Sequence, residues 1–373
     1  MMERKDWKVL KLGDFCDLKA GKNVKVSEIK QECDEINKYP CYGGNGIRGY
    51  IKKYSHCLIY PIIGRQGALC GNVTLAKAPF YATEHAVVVK PRSETNITWL
   101  YYKLRSLNLN QYAQGVAQPG LAVSTLNKIP IPFPPLPVQA RIVDELDCLQ
   151  GILSKKRQQL AEYHSLAQAI FHQMFGDPVV NEKGWEVKRL GEVCELKSGF
   201  AFKSSLFKTE GLPILRISNI QHDGISTNGL AFFAKEDYKE DLEKYRVLPG
   251  DTLIALSGAT TGKVGYNKTH ENFYLNQRVA ICREKHLCNR HFIFFILKEM
   301  SKHILEMAGG AAQPNISTKQ IGLLTIPIPP LPLQQSFANR IAVINNQCES
   351  LNKSIHEMET LLATRMDMLL NID

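Results

Sequence analysis

The chain is written twice. Trp7-Lys8-Val9 and the passage LKLGDFCDLKAG return as Trp185-Glu186-Val187 and KRLGEVCELKSG, 178 positions later and without a gap. In the middle, Gly67, Gly71 and Val73 return as Gly258, Gly262 and Val264 at an offset of 191. Later, AQPGLAVSTLNKIPIPFPPLPVQ (117–139) returns as AQPNISTKQIGLLTIPIPPLPLQ (312–334) at an offset of 195. A duplication on this scale restricts the chain to architectures made of two like parts. The offset grows by 17 from start to end, so the second copy carries net insertions in its interior. Surface loops absorb such insertions at little cost.

Each copy ends in a heptad pattern. The first seam is Ile142, Leu146, Leu149, Leu153, Lys156, Leu160, Tyr163, Ala167, Ile170 and Met174, in alternating steps of four and three. The second is Phe337, Ile341, Ile344, Cys348, Leu351, Ile355, Met358, Leu362, Arg365 and Leu369. Two segments with one 3.5-residue period predict a coiled coil, most simply with each other. Pro134-Pro135 and Pro329-Pro330 disfavour helix just before each segment and set a firm start. Lys156 and Arg365 are the charged seam positions; each fixes register or carries its charge out to solvent.

The blocks before the helices read as β-rich: His56–Ile63, Phe80–Val89, Asp251–Leu256 and Phe273–Cys282 are apolar runs between turn residues. Shorter helices are expected near Ile97–Leu107 and Arg290–Glu306. The expected fold is α+β: two tandem α/β blocks and two long helices forming an antiparallel coiled coil, with a pseudo-twofold relation between the copies. A helix of about 40 residues is roughly 60 Å long, the rise of roughly 15 to 18 base pairs of B-DNA. Two blocks held apart by such a spacer would read two half-sites at a fixed gap.

Charge agrees with a polyanionic partner. Of 373 residues, 46 are Lys or Arg and 36 Asp or Glu, a net charge of +10. The excess is confined to the blocks: residues 1–135 carry +9 and 181–332 carry +4, while 136–180 and 333–373 carry −1 and −2. Basic charge gathered on particular blocks favours a nucleic-acid face there. The start, MMERKDWKVLKLGD, has no apolar signal core, and no apolar run approaches roughly 18 residues. Ten Cys without a CxxC pair fit reduced thiols, so a cytoplasmic chain that enters no membrane is expected.

Several enzyme-like motifs fail on context. Gly44, Gly46 and Gly49 spell GxGxxG, but the following YIKKYSHCLIY reads as strand, not the helix a dinucleotide site needs. Gly258–Val264 resembles a phosphate-binding loop, yet it is one residue short and ends in Val264 instead of a magnesium-binding hydroxyl. Asp177, Glu186 and Lys188 imitate a nuclease set, but the first copy has Leu10 in place of Lys188. The Pro-Pro pairs are flanked by Phe133 and Leu136 and by Ile328 and Leu331, none of which binds a flipped base's amine. Cys282, His286, Cys288 and His291 match no zinc spacing. No catalytic residue and no metal site is expected.

The duplicated W-x-V-x-x-L-G opening, SGATTGKVG, QPNIST…IPIPPLPLQQ and FGDPVVNEKGWEVKRLGE together resemble the specificity (S) subunit of type I restriction–modification enzymes over essentially the whole chain. The resemblance implies target recognition domains at 1–135 and 178–332, with helical spacers at 136–177 and 333–373. It implies a non-catalytic DNA-binding subunit that docks two N6-adenine methyltransferase (modification) subunits on its helices. A restriction subunit, an ATP-driven translocase and nuclease, is the further partner it implies. S-adenosylmethionine, ATP and magnesium would belong to those partners, and this chain would bind no cofactor. The copies differ where the family would read DNA. GRQGALCGNV stands opposite SGATTGKVG, and GLAVS opposite NIS, so an asymmetric bipartite site is expected.

Base reading needs planar or forked donors on loops. In the first block the candidates are Asn45, Arg48, Arg65, Gln66 and Gln118; in the second, Arg216, Asn219, Gln221, His222, Thr260, Thr261, Lys263 and Gln313. For each, a solvated loop or a phosphate contact competes with base readout. His85 and Arg278 align inside apolar runs and read as structural. The rivals are a self-sufficient nuclease or methyltransferase, which would bind S-adenosylmethionine or cleave with metal alone, and a scaffold without affinity for duplex DNA.

Overall fold

The structure, a computed structural model, describes residues 7–371 except 68, 116–118, 222–223, 270 and 310–313. Its contacts divide the chain into two compact units: Met1–Gln158 with Lys353–Asp373, and Gln159–Asn352. Each unit holds one repeat block and a stretch of both long helices.

In the first unit the W-x-V opening forms strand Lys8–Lys11, antiparallel to Pro130–Phe133 with Lys8 opposite Phe133. The partner strand contains Pro130 and Pro132. A two-stranded ribbon tolerates them because alternate residues turn their N–H away from the partner strand, where no ladder bond is made. The pairing ties the start of the block to the passage before its long helix. The main sheet runs Cys16–Ala20, Ala86–Pro91, Tyr60–Gly64, Val73–Ala76, antiparallel throughout. Helix Ile97–Ser106 packs into the same core, with Trp99, Leu100 and Leu104 fully buried. Asn96 caps it by accepting from Thr98 N and Trp99 N at 3.0 and 3.1 Å. A smaller sheet runs Gly46–Ile51, Tyr39–Gly43, Tyr81–Ala82, its second pairing parallel.

The second unit repeats this plan. Glu186–Arg189 pairs with Thr325–Ile328, and the main sheet runs Cys194–Ser198, Val279–Glu284, Thr252–Ala255, Val264–Tyr266, in the same order. Its smaller sheet has four strands, Ala231–Phe233, Leu212–Leu215, Phe273–Leu275 and Arg246–Val247, beside a hairpin of Ile220–Gln221 and Gly224–Ile225. Most of the inserted length falls here: Gly21 to Gly64 spans 43 positions, and the matching Gly199 to Ala255 spans 56.

The long helices run Leu136–Phe175 and Leu331–Leu370, 40 residues each, starting directly after the double prolines. Every expected seam position is buried or half-buried. In the first unit Glu145 pairs with Arg365 and Arg157 with Glu359, so the helices run antiparallel. Arg365, the charged seam residue of the second helix, therefore sets register through Glu145. In the second unit Phe171 and Phe175 meet Phe337 at ring-centroid distances of 5.7 and 5.2 Å. The helices pack on the blocks as well as on each other. Phe171 also stacks on Phe292 and Phe295 of helix Arg290–Glu299, each 6.1 Å away.

One buried amide fastens each joint. Gln139 accepts from Asn96 N at 2.9 Å and donates to Pro134 O at 2.9 Å. Gln334 repeats this with Asn289 N at 2.8 Å and Pro329 O at 2.8 Å. Both glutamines are 0% exposed. Each satisfies the cap of the short helix and a carbonyl left unpaired by the prolines.

Three expectations need correction. Phe80–Val89 is not one strand: Tyr81–Ala82 and Ala86–Pro91 are separated by a turn, and Phe273–Leu275 and Val279–Glu284 are divided likewise. Of His56–Ile63, only Tyr60–Ile63 lies in a strand, which runs on to Gly64. The helix expected near Arg290–Glu306 is two helices, Arg290–Glu299 and Ser301–Met307. Among the described residues, no helix is long and apolar enough to cross a membrane.

Candidate nucleic-acid interface

In the first unit the structure gathers loops from both sheets. The tight turn between Tyr39–Gly43 and Gly46–Ile51 carries Asn45 at its exposed tip. It abuts the end of strand Tyr60–Gly64 so closely that a Cβ on Gly64 would lie 2.0 Å from Gly44 O. That contact requires glycine at position 64, and it places Asn45 beside the loop of Arg65 and Gln66. Asn72 Nδ2 donates to Asn45 Oδ1 at 3.0 Å. Arg65 N donates to His85 O at 3.1 Å, bringing in the turn Thr83–His85. Arg48 is exposed on the hairpin, with its side chain lying over Gly43. Gln66 is exposed and bridges Gly120.

The second unit builds the same place with the same backbone bonds. Leu256 N donates to Arg278 O at 2.8 Å, as Arg65 N does to His85 O. Ile316 N donates to Leu256 O at 2.8 Å, and Leu121 N to Arg65 O at 2.8 Å. Ser257 bridges Asn315 as Gln66 bridges Gly120. Gly258 (φ +79°) and Gly67 (φ +88°) hold the left-handed turn that follows, donating to Pro314 O and Pro119 O.

Arg216 joins this cluster, since a Cβ on Gly258 would meet Ile217 Cδ1 at 3.7 Å and Asn276 N donates to Leu215 O at 3.0 Å. Its guanidinium donates to Gly229 O at 2.8 Å and lies 5.8 Å from the Phe207 ring centroid. Thr260 sits in the Gly258 turn, and Lys263 is half-buried just before strand Val264–Tyr266. Gln221 is exposed on the hairpin that packs on that strand, where a Cβ on Gly265 would lie 2.6 Å from Gly224 O.

Two candidates are corrected. Asn219 is 1% exposed; its amide accepts from Arg216 N and donates to Ser226 O and Asn228 O. Thr261 is 5% exposed and its hydroxyl is 2.7 Å from Gly258 O and 3.0 Å from Pro314 O. Both shape loops, and their polar atoms are already engaged. Gln118, Gln313 and His222 lie outside the described residues.

The unpaired polar atoms mark the same two places. Among the described residues, buried side-chain atoms without a hydrogen-bond partner are Arg65 Nε, Thr83 Oγ1, Glu84 Oε2, Trp99 Nε1, Arg216 Nε, Ser257 Oγ and Thr260 Oγ1. All except the Trp99 indole belong to the two loop clusters. Leaving such an atom unpaired costs about 1–3 kcal/mol, so their concentration sets these two loop clusters apart as places whose polar groups are not satisfied within the chain.

The enzyme-like motifs are otherwise occupied. The GxGxxG glycines form a hairpin, and the Gly258–Lys263 loop leads into a strand. Asp177 accepts from Val179 N and Val180 N in a turn. Among the described residues, no group of three His, Cys, Asp or Glu is placed to hold a metal ion. The sequence reading missed the turns Thr83–His85 and Asn276–Arg278. Their signal was a polar triad interrupting an apolar run at one shared offset of 193.

The chain is similar to known proteins in sequence and in fold. The type I restriction enzyme EcoprrI specificity subunit of Escherichia coli is 46% identical over 147 residues, 39% of this chain and 37% of that protein. The MjaVIII specificity subunit of Methanocaldococcus jannaschii is 27% identical over 399 residues, covering 98% of this chain and 92% of that protein. Among solved structures, the S subunit of a type I restriction–modification system from M. genitalium has a TM-score of 0.61 at 19% identity, covering 99% of this chain and 97% of that one. At that identity the likeness speaks for the fold. The family described as "Type I restriction modification DNA specificity domain" matches residues 4–163 and 182–360, once on each repeat, and the chain belongs to that family.

Proposed function

We propose that this chain is the DNA sequence-recognition subunit of a type I restriction–modification assembly, each repeat block reading one half of a bipartite, asymmetric site. One observation carries the reading: two loop clusters share one set of backbone bonds but differ in side chains, Arg65, Gln66 and His85 in one against Leu256, Ser257 and Arg278 in the other. A shared scaffold with exchanged donors and acceptors is what two different half-sites require. The surplus of Lys and Arg on the blocks supplies phosphate contacts.

The long helices act as spacer and docking surface. Exposed apolar side chains on them, Ile152, Leu166, Val343 and Leu361 at 38–62% exposure, suit two modification subunits. Methyl transfer would be theirs, with S-adenosylmethionine; ATP-driven cleavage and its magnesium would belong to a restriction subunit where one is present. The test is equilibrium binding of the purified full chain to duplex DNA across a salt series. Affinity should fall linearly on logarithmic axes as counterions are released. No duplex affinity at low salt would overturn the reading.

A further inference from the structure

The turn Thr83–Glu84–His85 and its counterpart Asn276–Gln277–Arg278 occupy one structural position. Thr83 N donates to Tyr42 O and Asn276 N to Leu215 O; Ala86 N closes on Thr83 O and Val279 N on Asn276 O, all at 2.9–3.0 Å. Their last carbonyls hold the two candidate loops through Arg65 N and Leu256 N. Between copies the backbone is constant and the chemistry changes, Glu to Gln and His to Arg.

Glu84 places an acidic side chain in the loop cluster of a block that carries +9. His85 Nε2 lies 3.1 Å from Glu84 Oε1, which leaves Oε2 buried and without a donor. A carboxylate accepts only, and phosphates repel it. In the DNA major groove the donors are the exocyclic amines of cytosine and adenine. Adenine sets its N7 acceptor beside the amine, and a carboxylate has no donor to pair with it; cytosine sets no acceptor there. In the second unit Gln277 and Arg278 are exposed. An amide matches the donor–acceptor edge of adenine, and a guanidinium the two acceptors of guanine.

We infer that these two turns set base identity within each half-site: Glu84, positioned by His85, reads cytosine in the first, and Gln277 and Arg278 read adenine and guanine in the second. The inference rests on the DNA-reading role proposed above.

The test is selection of a randomised duplex library by the purified full chain, followed by sequencing of what is retained. The wild type should enrich a cytosine in one half-site and an adenine next to a guanine in the other. Glu84→Gln should turn that cytosine preference toward adenine, and Gln277→Glu should turn adenine toward cytosine. Each change should reach on the order of ten- to a hundredfold in relative affinity and leave the other half-site unchanged. Both substitutions are isosteric and lie in different units, so misfolding of one, seen in its thermal unfolding, leaves the other to decide. Unchanged preferences, or a uniform loss of affinity for all sequences, would overturn the assignment alone. A wild-type chain that enriches no sequence would overturn the DNA-reading role itself.

Discussion

At Gly64, a single hydrogen in place of a side chain lets two sheets of the first unit share a loop cluster. Gly64→Ala would place a methyl 2.0 Å from the backbone oxygen of Gly44, and nothing flexible is there to yield. Library selection with this variant should lose the half-site read by the first unit and retain that of the second. Retention of both would show that the cluster does not depend on this contact. Lys103 gives a second residue-scale prediction. It is 1% exposed, donating to Leu370 O at 2.8 Å and Asn371 Oδ1 at 2.6 Å, and burial brings its amine down from the ordinary 10.5 to about 8. Below pH 8 the amine is charged in both folded and unfolded chains, and the folded one bears the full cost of burying it. Between about 8 and 10.5 the unfolded chain binds the extra proton, so stability rises with pH. Denaturant unfolding should therefore show the wild type gaining on Lys103→Met across that window; a flat or falling difference contradicts the buried-amine account.

Among the elements, the long helices were legible because their signal is local and periodic. Seam residues such as Ile142, Leu146, Ile341 and Ile344 are buried as the heptads require. The strands were less legible, because FYATEHAVVV satisfies β propensity throughout, while the turn inside it depends on a bond from Thr83 N to Tyr42 O, 41 positions away. Non-local pairing of that kind leaves no period to read. Candidate residues fared likewise: Asn219 and Thr261 have the right chemistry, but burial and partners decide whether a side chain faces a ligand. The elements also carry a stability prediction. Phe171 is 0% exposed and packs against Phe175, Phe292, Phe295 and Phe337. Phe171→Ala should cost about 3–5 kcal/mol in denaturant unfolding of the second unit. Gln334→Ala, which strips partners from Asn289 N and Pro329 O, should cost about 1–3 kcal/mol. Unchanged unfolding in either variant would contradict the packing described.

For the molecule as a whole, duplication allows one scaffold to be used twice while each copy varies its own loops. The main sheet keeps its strand order in both units, and the inserted length falls mostly in the segment that bears the smaller sheet. On the proposed function, substitutions in one block alter one half-site without disturbing the other, because the two cores are built from separate sets of side chains. The most direct test of this account is a map of methylated adenines in cells that express the chain together with the modification subunit proposed for it. The account predicts one asymmetric motif of two half-sites with a constant gap, absent when the chain is omitted. A single contiguous motif, or methylation that persists without the chain, would contradict it.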